Sequence, residues 1–299
     1  MAILKPKYLH KFIKPYLVKD GKEFRLKDHD PADIHDLSSA EKPEAKKMLE
    51  EGVAMLSALQ QVLYAQGNWA LLVVIQAMDA AGKDSTIKHV MSGVNPQGVD
   101  VHSFKSPSTE ELAHDFLWRA MRCLPVRGKI GIFNRSYFEE VLVTRVHPDL
   151  LERQRIPESL CGDHFWKHRF EDINAFERYL TRNGIAILKF FLNLSKKEQK
   201  RRFLERLDDP DKNWKFSAAD VNERQHWNAY QDAYEKMIRN TATDHAPWIV
   251  VPADNKWFSR LLVVNTIVDT LHGLDLHYPK QSAAQLKELK EARKRLEAE

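Results

Sequence analysis

Cysteine is scarce in this chain. Two occur in 299 residues, Cys123 and Cys161, and their spacing fits neither a metal-ligand set nor a redox pair. Two reduced thiols are therefore expected rather than a disulfide framework. Long hydrophobic runs are also missing: no apolar stretch approaches the roughly 20 residues that cross a bilayer, and the mean hydropathy is −0.50. The opening residues MAILKPKYLHKFIKPYL are basic with scattered apolar positions. They lack the continuous apolar core and small-residue cleavage site of a secretory signal, so a cytoplasmic location with no membrane partner is the expectation. No internal repeat or low-complexity linker occurs. Charge of one sign is only slightly in excess, 46 Lys and Arg against 42 Asp and Glu for a net +4, which suits an anionic ligand without requiring nucleic acid.

What is present is an alternation of strand and helix signals. Residues 1–40 are rich in Lys and Arg, from Lys5 to Lys27, but show little periodicity, and read as an irregular basic arm wrapping a core. Residues 41–66 set Met48, Leu49, Val53, Leu56, Leu59 and Leu63 at helical spacing. Strands are expected over Ala70–Gln76, Val99–Phe104, Lys129–Phe133, Ile185–Leu194 and Trp248–Val251. Continuous apolar runs such as ALLVVIQ mark strands buried on both faces. Between them helices are expected over Lys83–Met91, from Ser106-Pro107 with Leu112, Phe116, Leu117 and Met121 on one face, over Cys161–Thr181, and over Trp257–Leu271. Two more begin at a Ser195/Glu198 capping box and at Ser217, the latter with Trp227, Tyr230, Tyr234 and Met237 on one stripe.

The pattern predicts an α/β fold, a parallel sheet with helices on both faces. Ligands of such sheets bind at the carboxyl ends of the strands, here just after Gln76, Phe133, Leu194 and Val251. The expected organisation is a basic arm and helix over 1–66, a core over 67–273 with a lid at about 195–220, and a charged helix over 274–299.

The chemistry concentrates in those places. Ala77-Met78-Asp79-Ala80-Ala81-Gly82-Lys83-Asp84 lies between a strand and a helix, the setting of a phosphate-binding loop. There backbone N–H groups and a helix N-terminus surround phosphate oxygens and a lysine adds a point charge. Ala80, Ala81, Gly82, Lys83, Asp84 and Ser85 are the candidate phosphate contacts. The usual first glycine is Ala77 and the usual hydroxyl after the lysine is Asp84, so Ser85 and Thr86 are candidates to replace it. A carboxylate beside phosphates is repulsive unless a cation lies between them. Asp79 is accordingly either a Mg2+ ligand or the group that orients the attacking phosphate, and Asp84 either takes part or complements the helix dipole.

At the end of KIGIF, Asn134 occupies the place where an acidic residue usually holds Mg2+. Arg135 can reach phosphate, and Glu139 and Glu140 can restore negative charge. The helix after Ser195 carries Arg201, Arg202 and Arg206 with lysines before and after, Lys215 among them. Its buried side is expected at Phe203, Leu204 and Leu207, and its arginines sit where small-molecule kinases carry a lid that neutralises the transferred phosphoryl group. Phe104-Lys105-Ser106-Pro107 is either a plain turn or a contact to an acceptor nucleotide.

The segments AMDAAGKDST, FKSPSTEELAHDFLWR, FNRSYFEEVLV, FWKHRFEDINAFE, SKKEQKRRFLERLDDPDKNWKFS and VPADNKWFSR resemble polyphosphate kinase family 2, over nearly the whole chain from about Phe24 to about residue 272. The resemblance implies a three-layer α/β/α P-loop kinase fold similar to thymidylate kinase, with phosphoryl transfer between inorganic polyphosphate and nucleotides. It implies Mg2+, with Mn2+ as a substitute. It carries Asp79, Lys83, Arg135, Arg201, Arg202 and Arg206 over as catalytic, and Asp79, Asn134 and Glu139 as metal contacts. It places Asn134 and Glu139 at the nucleotide, where Phe104 and Lys105 join them if their turn is the acceptor contact rather than a plain turn. Asn134 with Glu139 nearby resembles the subgroup acting on both AMP and ADP. The expected partners are polyphosphate, AMP and ADP, with GMP and GDP as further acceptors, and copies of the same chain in a dimer or tetramer. The alternatives are an ATP-dependent small-molecule kinase and a non-catalytic polyanion-binding module.

Overall fold

The strand Ala70–Ala77 is buried along its whole length, and its aliphatic side chains from Leu71 to Ile75 alternate between two cores. The computed structural model describes residues 6–211 and 213–299. Among them the sheet has six strands: β1 (Leu17–Val18), β2 (Ala70–Ala77), β3 (Val99–Ser103), β4 (Ile130–Asn134), β5 (Ile185–Asn193) and β6 (Trp248–Pro252). They are ordered β1-β6-β5-β2-β4-β3. From β2, Leu71, Val73 and Ile75 enter one core and Leu72 and Val74 the other, as the two-residue side-chain period of a strand requires. The first core is closed by helices Lys42–Gln66 and Lys256–His272, the second by helices Glu139–Val146, Phe165–Arg182 and Trp227–Thr241. This is the three-layer α/β/α architecture.

The layout of the elements departs from the sequence reading in several ways. The arm is not wholly irregular: Pro6–Ile13 is a helix whose Leu9 and Ile13, four apart, bury against the first core. A two-turn helix is too short to register as periodicity. The sheet is not wholly parallel, because β1 pairs antiparallel with β6, Leu17 facing Ile249. The helix after Ser106-Pro107 is two pieces. Ser108 caps Thr109–Leu112, and Asp115 accepts the Leu117 N–H and starts a fresh turn before Trp118–Met121. The helix from Ser217 likewise breaks, into Ala218–Glu223, a 3-10 turn over Arg224–His226 and Trp227–Thr241.

Candidate active site

Four strand ends meet at one edge of the sheet. After β2 the chain turns through Met78–Ala81, and Gly82 at φ 106° precedes helix Lys83–Val90. That angle admits glycine and strains any side chain. Ala80 is also left-handed, at φ 61°, as is Arg135 at φ 62° just past β4. Two such non-glycine residues in one site signal backbone held by its surroundings. A cleft of about 630 Å³ opens against the turn, lined by Asp79, Ala80, Gly82, Lys83, Asp84, Ser85, Ser103, Phe104, Lys105, Ser106, Asn134, Arg135, Arg206, Trp214 and Asp220.

Lys83 is folded over the loop, its Nζ donating to the carbonyls of Ala77 at 2.9 Å and Met78 at 3.3 Å. Two of its three N–H groups are thereby used and one remains for a ligand. Burial, and then the Arg135 charge, pull its ammonium below the ordinary lysine range, against the pull of Asp79, Glu139 and Asp84. Arg135 is braced from two sides: Nη2 donates to Asp79 Oδ1 at 2.8 Å, and Nη1 lies 3.5 Å from Glu139 Oε2. Against the cost of burial, Glu139 and Asp79 hold it above its usual value. Glu139 in turn accepts from the buried amide of Gln76 at 2.9 Å. Asn134 Nδ2 donates to Asp84 Oδ1 at 2.7 Å, so Asp84 does more than complement the helix dipole. Ser85 Oγ accepts from Arg260 at 2.7 Å.

The sequence candidates divide accordingly. Asp79, Lys83, Asn134, Arg135, Arg206, Phe104 and Lys105 share the cleft with Ala80, Gly82, Asp84 and Ser85 of the loop, whereas Ala81 is buried and does not line it. Glu139 does not line it. It stands behind Arg135 and faces two smaller pockets, of about 40 and about 150 Å³. Arg201 is an exposed residue tied to Glu198 and Glu205 along its own helix, away from the cleft. Arg202 is 3% exposed and turned into the protein, so the expected inward side of helix Lys196–Asp208 is corrected: Phe203 is buried, but Leu204 and Leu207 are 50% and 46% exposed. The capping box is corrected as well. Ser195 caps the helix, but Glu198 is taken by Arg201 and Arg202, and Asp254 at the end of β6 receives the Ser195 N–H instead. The side chain of Lys215 lies outside the described residues.

Sequence reasoning missed Gln199, Asp220, Arg224 and Arg260. Gln199 was legible: it shares a helix face with Arg202 and Phe203, three and four residues on. Asp220 lines the cleft, and burial, then the Asp79 charge, push its carboxyl up.

A glycine–lysine turn at the central strand, a carboxylate–arginine pair at the next strand end and a cationic helix across the cleft define a phosphotransferase of the P-loop kinase class. The chain belongs to the polyphosphate kinase 2 family, whose sequence pattern matches residues 39–279. It is 50% identical over 282 residues to the ADP-polyphosphate phosphotransferase of Rhodopseudomonas palustris, covering 92% of this chain and 98% of that one. It is 44% identical over 272 residues to the AMP/ADP-polyphosphate phosphotransferase of Meiothermus ruber, covering 91% and 97%. The crystal structure of polyphosphate kinase 2 from Arthrobacter aurescens TC1 superposes with a TM-score of 0.82 at 40% identity, covering 92% of this chain and 95% of that one.

Proposed function

We propose that this protein transfers a phosphoryl group between inorganic polyphosphate and nucleoside mono- or diphosphates, AMP to ADP and ADP to ATP, with guanine nucleotides as further acceptors. The observation that carries the reading is the cleft: Lys83, Arg135, Arg206 and Lys105 gather around a glycine–lysine turn. Four cations against three carboxylates, Asp79, Asp84 and Asp220, leave the cleft net positive, which suits a chain bearing a negative charge on every phosphate. The relatives described above act, by name, on ADP and on AMP and ADP, and such acceptors are the proposal here.

The acceptor's place is a pocket of about 150 Å³ between the Phe104–Pro107 turn and helix Glu139–Val146, which shares Phe104, Lys105, Ser106 and Arg135 with the cleft. Leu112, Val143 and Leu150 give it apolar walls, and Arg119, Arg153 and Gln154 polar ones. A base held there leaves its phosphate at Arg135, facing the donor along the loop. An acceptor phosphate is already anionic, so the transfer needs in-line positioning more than a general base.

The donor set fits Mg2+. Asp79, Asp84 and Asn134 bring only hard oxygen ligands to the cleft. Among the described residues no three acidic, His or Cys side chains form a metal cage, which matches an ion held by one or two carboxylates and completed by substrate phosphates. Asp79 and Asn134 would hold it, while Glu139 braces Arg135. When bound, the ion would supply charge neutralisation at the transferred phosphoryl group. Lys83 and Arg206 bind donor oxygens, and Arg135 bridges the two substrates.

The test is to incubate the purified protein with Mg2+, polyphosphate and AMP, ADP, GMP or GDP in turn, and to separate the products. New di- or triphosphate that depends on polyphosphate is expected. Product formed only when ATP is supplied would replace the reading with an ATP-dependent kinase, and salt-sensitive binding without turnover would leave a polyanion-binding module.

A further inference from the structure

The lid helix, Lys196–Asp208, holds the phosphate loop by three consecutive carbonyls. Gln199 is 1% exposed, and its Nε2 donates to the Asp79 carbonyl at 2.9 Å. Arg202 Nη1 donates to the carbonyls of Ala80 at 3.1 Å and Ala81 at 2.8 Å. The other edge of the guanidinium grips the chain after β6: Nη2 donates to Ala253 at 2.5 Å and Asp254 at 3.1 Å, while Nε pairs with Glu198 at 2.7 Å. A guanidinium has five N–H groups, and these bonds occupy all five. Arg202 therefore has no donor left for a phosphate. Gln199 is held at both ends of its amide, since its Oε1 accepts from Arg224 at 2.5 Å.

We infer that Gln199 and Arg202 are positioning residues, a buried clamp that sets the shape in which the loop meets its donor. The physical reason is peptide planarity. A carbonyl and the N–H that follows it point in opposite directions across a trans peptide. Drawing the Ala81 carbonyl into the clamp turns the Gly82 N–H the other way, toward the cleft that Gly82 lines. The clamp also accounts for Ala80, whose left-handed φ of 61° is uncommon for a residue with a Cβ and which is held by its carbonyl. One turn beyond Arg202 the same helix delivers Arg206 to the cleft, so loop and lid arginine are set by one rigid element.

The inference rests on the proposed function for the identity of the donor, and the experiment separates the two. Gln199→Met keeps the shape and removes the bonds. Arg202→Lys keeps the charge, but one ammonium cannot span two pairs of carbonyls. For each variant, amide hydrogen exchange is followed over residues 78–86 without substrate, and KM is measured separately for polyphosphate and for nucleotide. For Gln199→Met the clamp predicts loop exchange faster by about tenfold, polyphosphate KM raised by about tenfold, and nucleotide KM and kcat within about twofold, the scale of one hydrogen bond. Arg202→Lys moves the same quantities further. Unchanged loop exchange overturns the clamp, and so does a loss of kcat with both KM values intact, which would mark a group acting on the transition state. If the unaltered protein transfers nothing from polyphosphate, the proposed function fails, and the exchange measurement still decides the clamp. If Arg202→Lys does not fold, Gln199→Met decides it alone.

Discussion

At the level of single residues, Lys83 carries the most weight. Among the described residues it is the one lysine whose ammonium rests on the loop itself, and Lys83→Met is expected to lower kcat/KM for polyphosphate by about 100-fold or more with an unchanged melting temperature. Steady-state kinetics and a thermal scan check both halves. Its pH behaviour has a definite sign. In the free protein burial and Arg135 depress the ammonium, so its charge is lost as pH rises through a value below the ordinary lysine one. Because kcat/KM reports the free enzyme, its alkaline limb for polyphosphate should fall earlier than an unperturbed lysine would allow. The limb of kcat should lie higher, because bound phosphate favours the ammonium. Coincident limbs at the ordinary lysine value would contradict the assignment. Residue by residue, the loop, Asn134 and Arg135 were legible because they sit at strand ends, where chemistry gathers in this fold. The division among the lid arginines was not. Charge patterning cannot tell an arginine bound to backbone carbonyls, like Arg202, from one lining the cleft, like Arg206, since both lie on one helical stripe.

Among the elements, the strands were the most legible and the short pieces the least. The runs at Ala70–Ala77 and Ile185–Asn193 are buried on both faces, which only a central parallel strand demands. Strand β1 has two residues and helix Pro6–Ile13 only eight, too few to express a period. The turn at Asp115 depends on one side-chain bond that composition does not reveal. That broken helix matters to function because Leu112, at the end of its first piece, walls the pocket assigned to the acceptor. Leu112→Trp should fill the pocket and raise nucleotide KM by about tenfold or more while polyphosphate KM stays fixed. A parallel rise in both would mean that donor and acceptor are not divided as proposed. Between elements, β5 is joined to helix Phe165–Arg182 by a fully buried ion pair, Lys189 to Glu177 at 2.6 Å. Tyr137 and the Thr241 carbonyl complete its hydrogen bonds. Lys189→Met leaves the carboxylate unpaired and should cost roughly 3–5 kcal/mol in chemical denaturation. Adding Glu177→Gln to it should recover part of that loss.

Across the whole molecule, the sheet brings together segments far apart in the chain. The loop after β2, the Asn134-Arg135 end of β4, the helix after β5 and the Ala253-Asp254 end of β6 are bonded to one another through Asp79, Arg135 and Arg202. In the proposed reading, with the donor's phosphates on the loop and the acceptor's at Arg135, donor grip, acceptor placement and the position of helix Lys196–Asp208 are one arrangement. The most direct test is a label transfer. With Mg2+, ADP and polyphosphate carrying 32P, a single turnover should place the label in the γ-phosphate of ATP in the unaltered protein and leave it in polyphosphate with Lys83→Met. Label in ATP at an undiminished rate without the Lys83 ammonium, or none in ATP at all from the unaltered protein, would contradict the account.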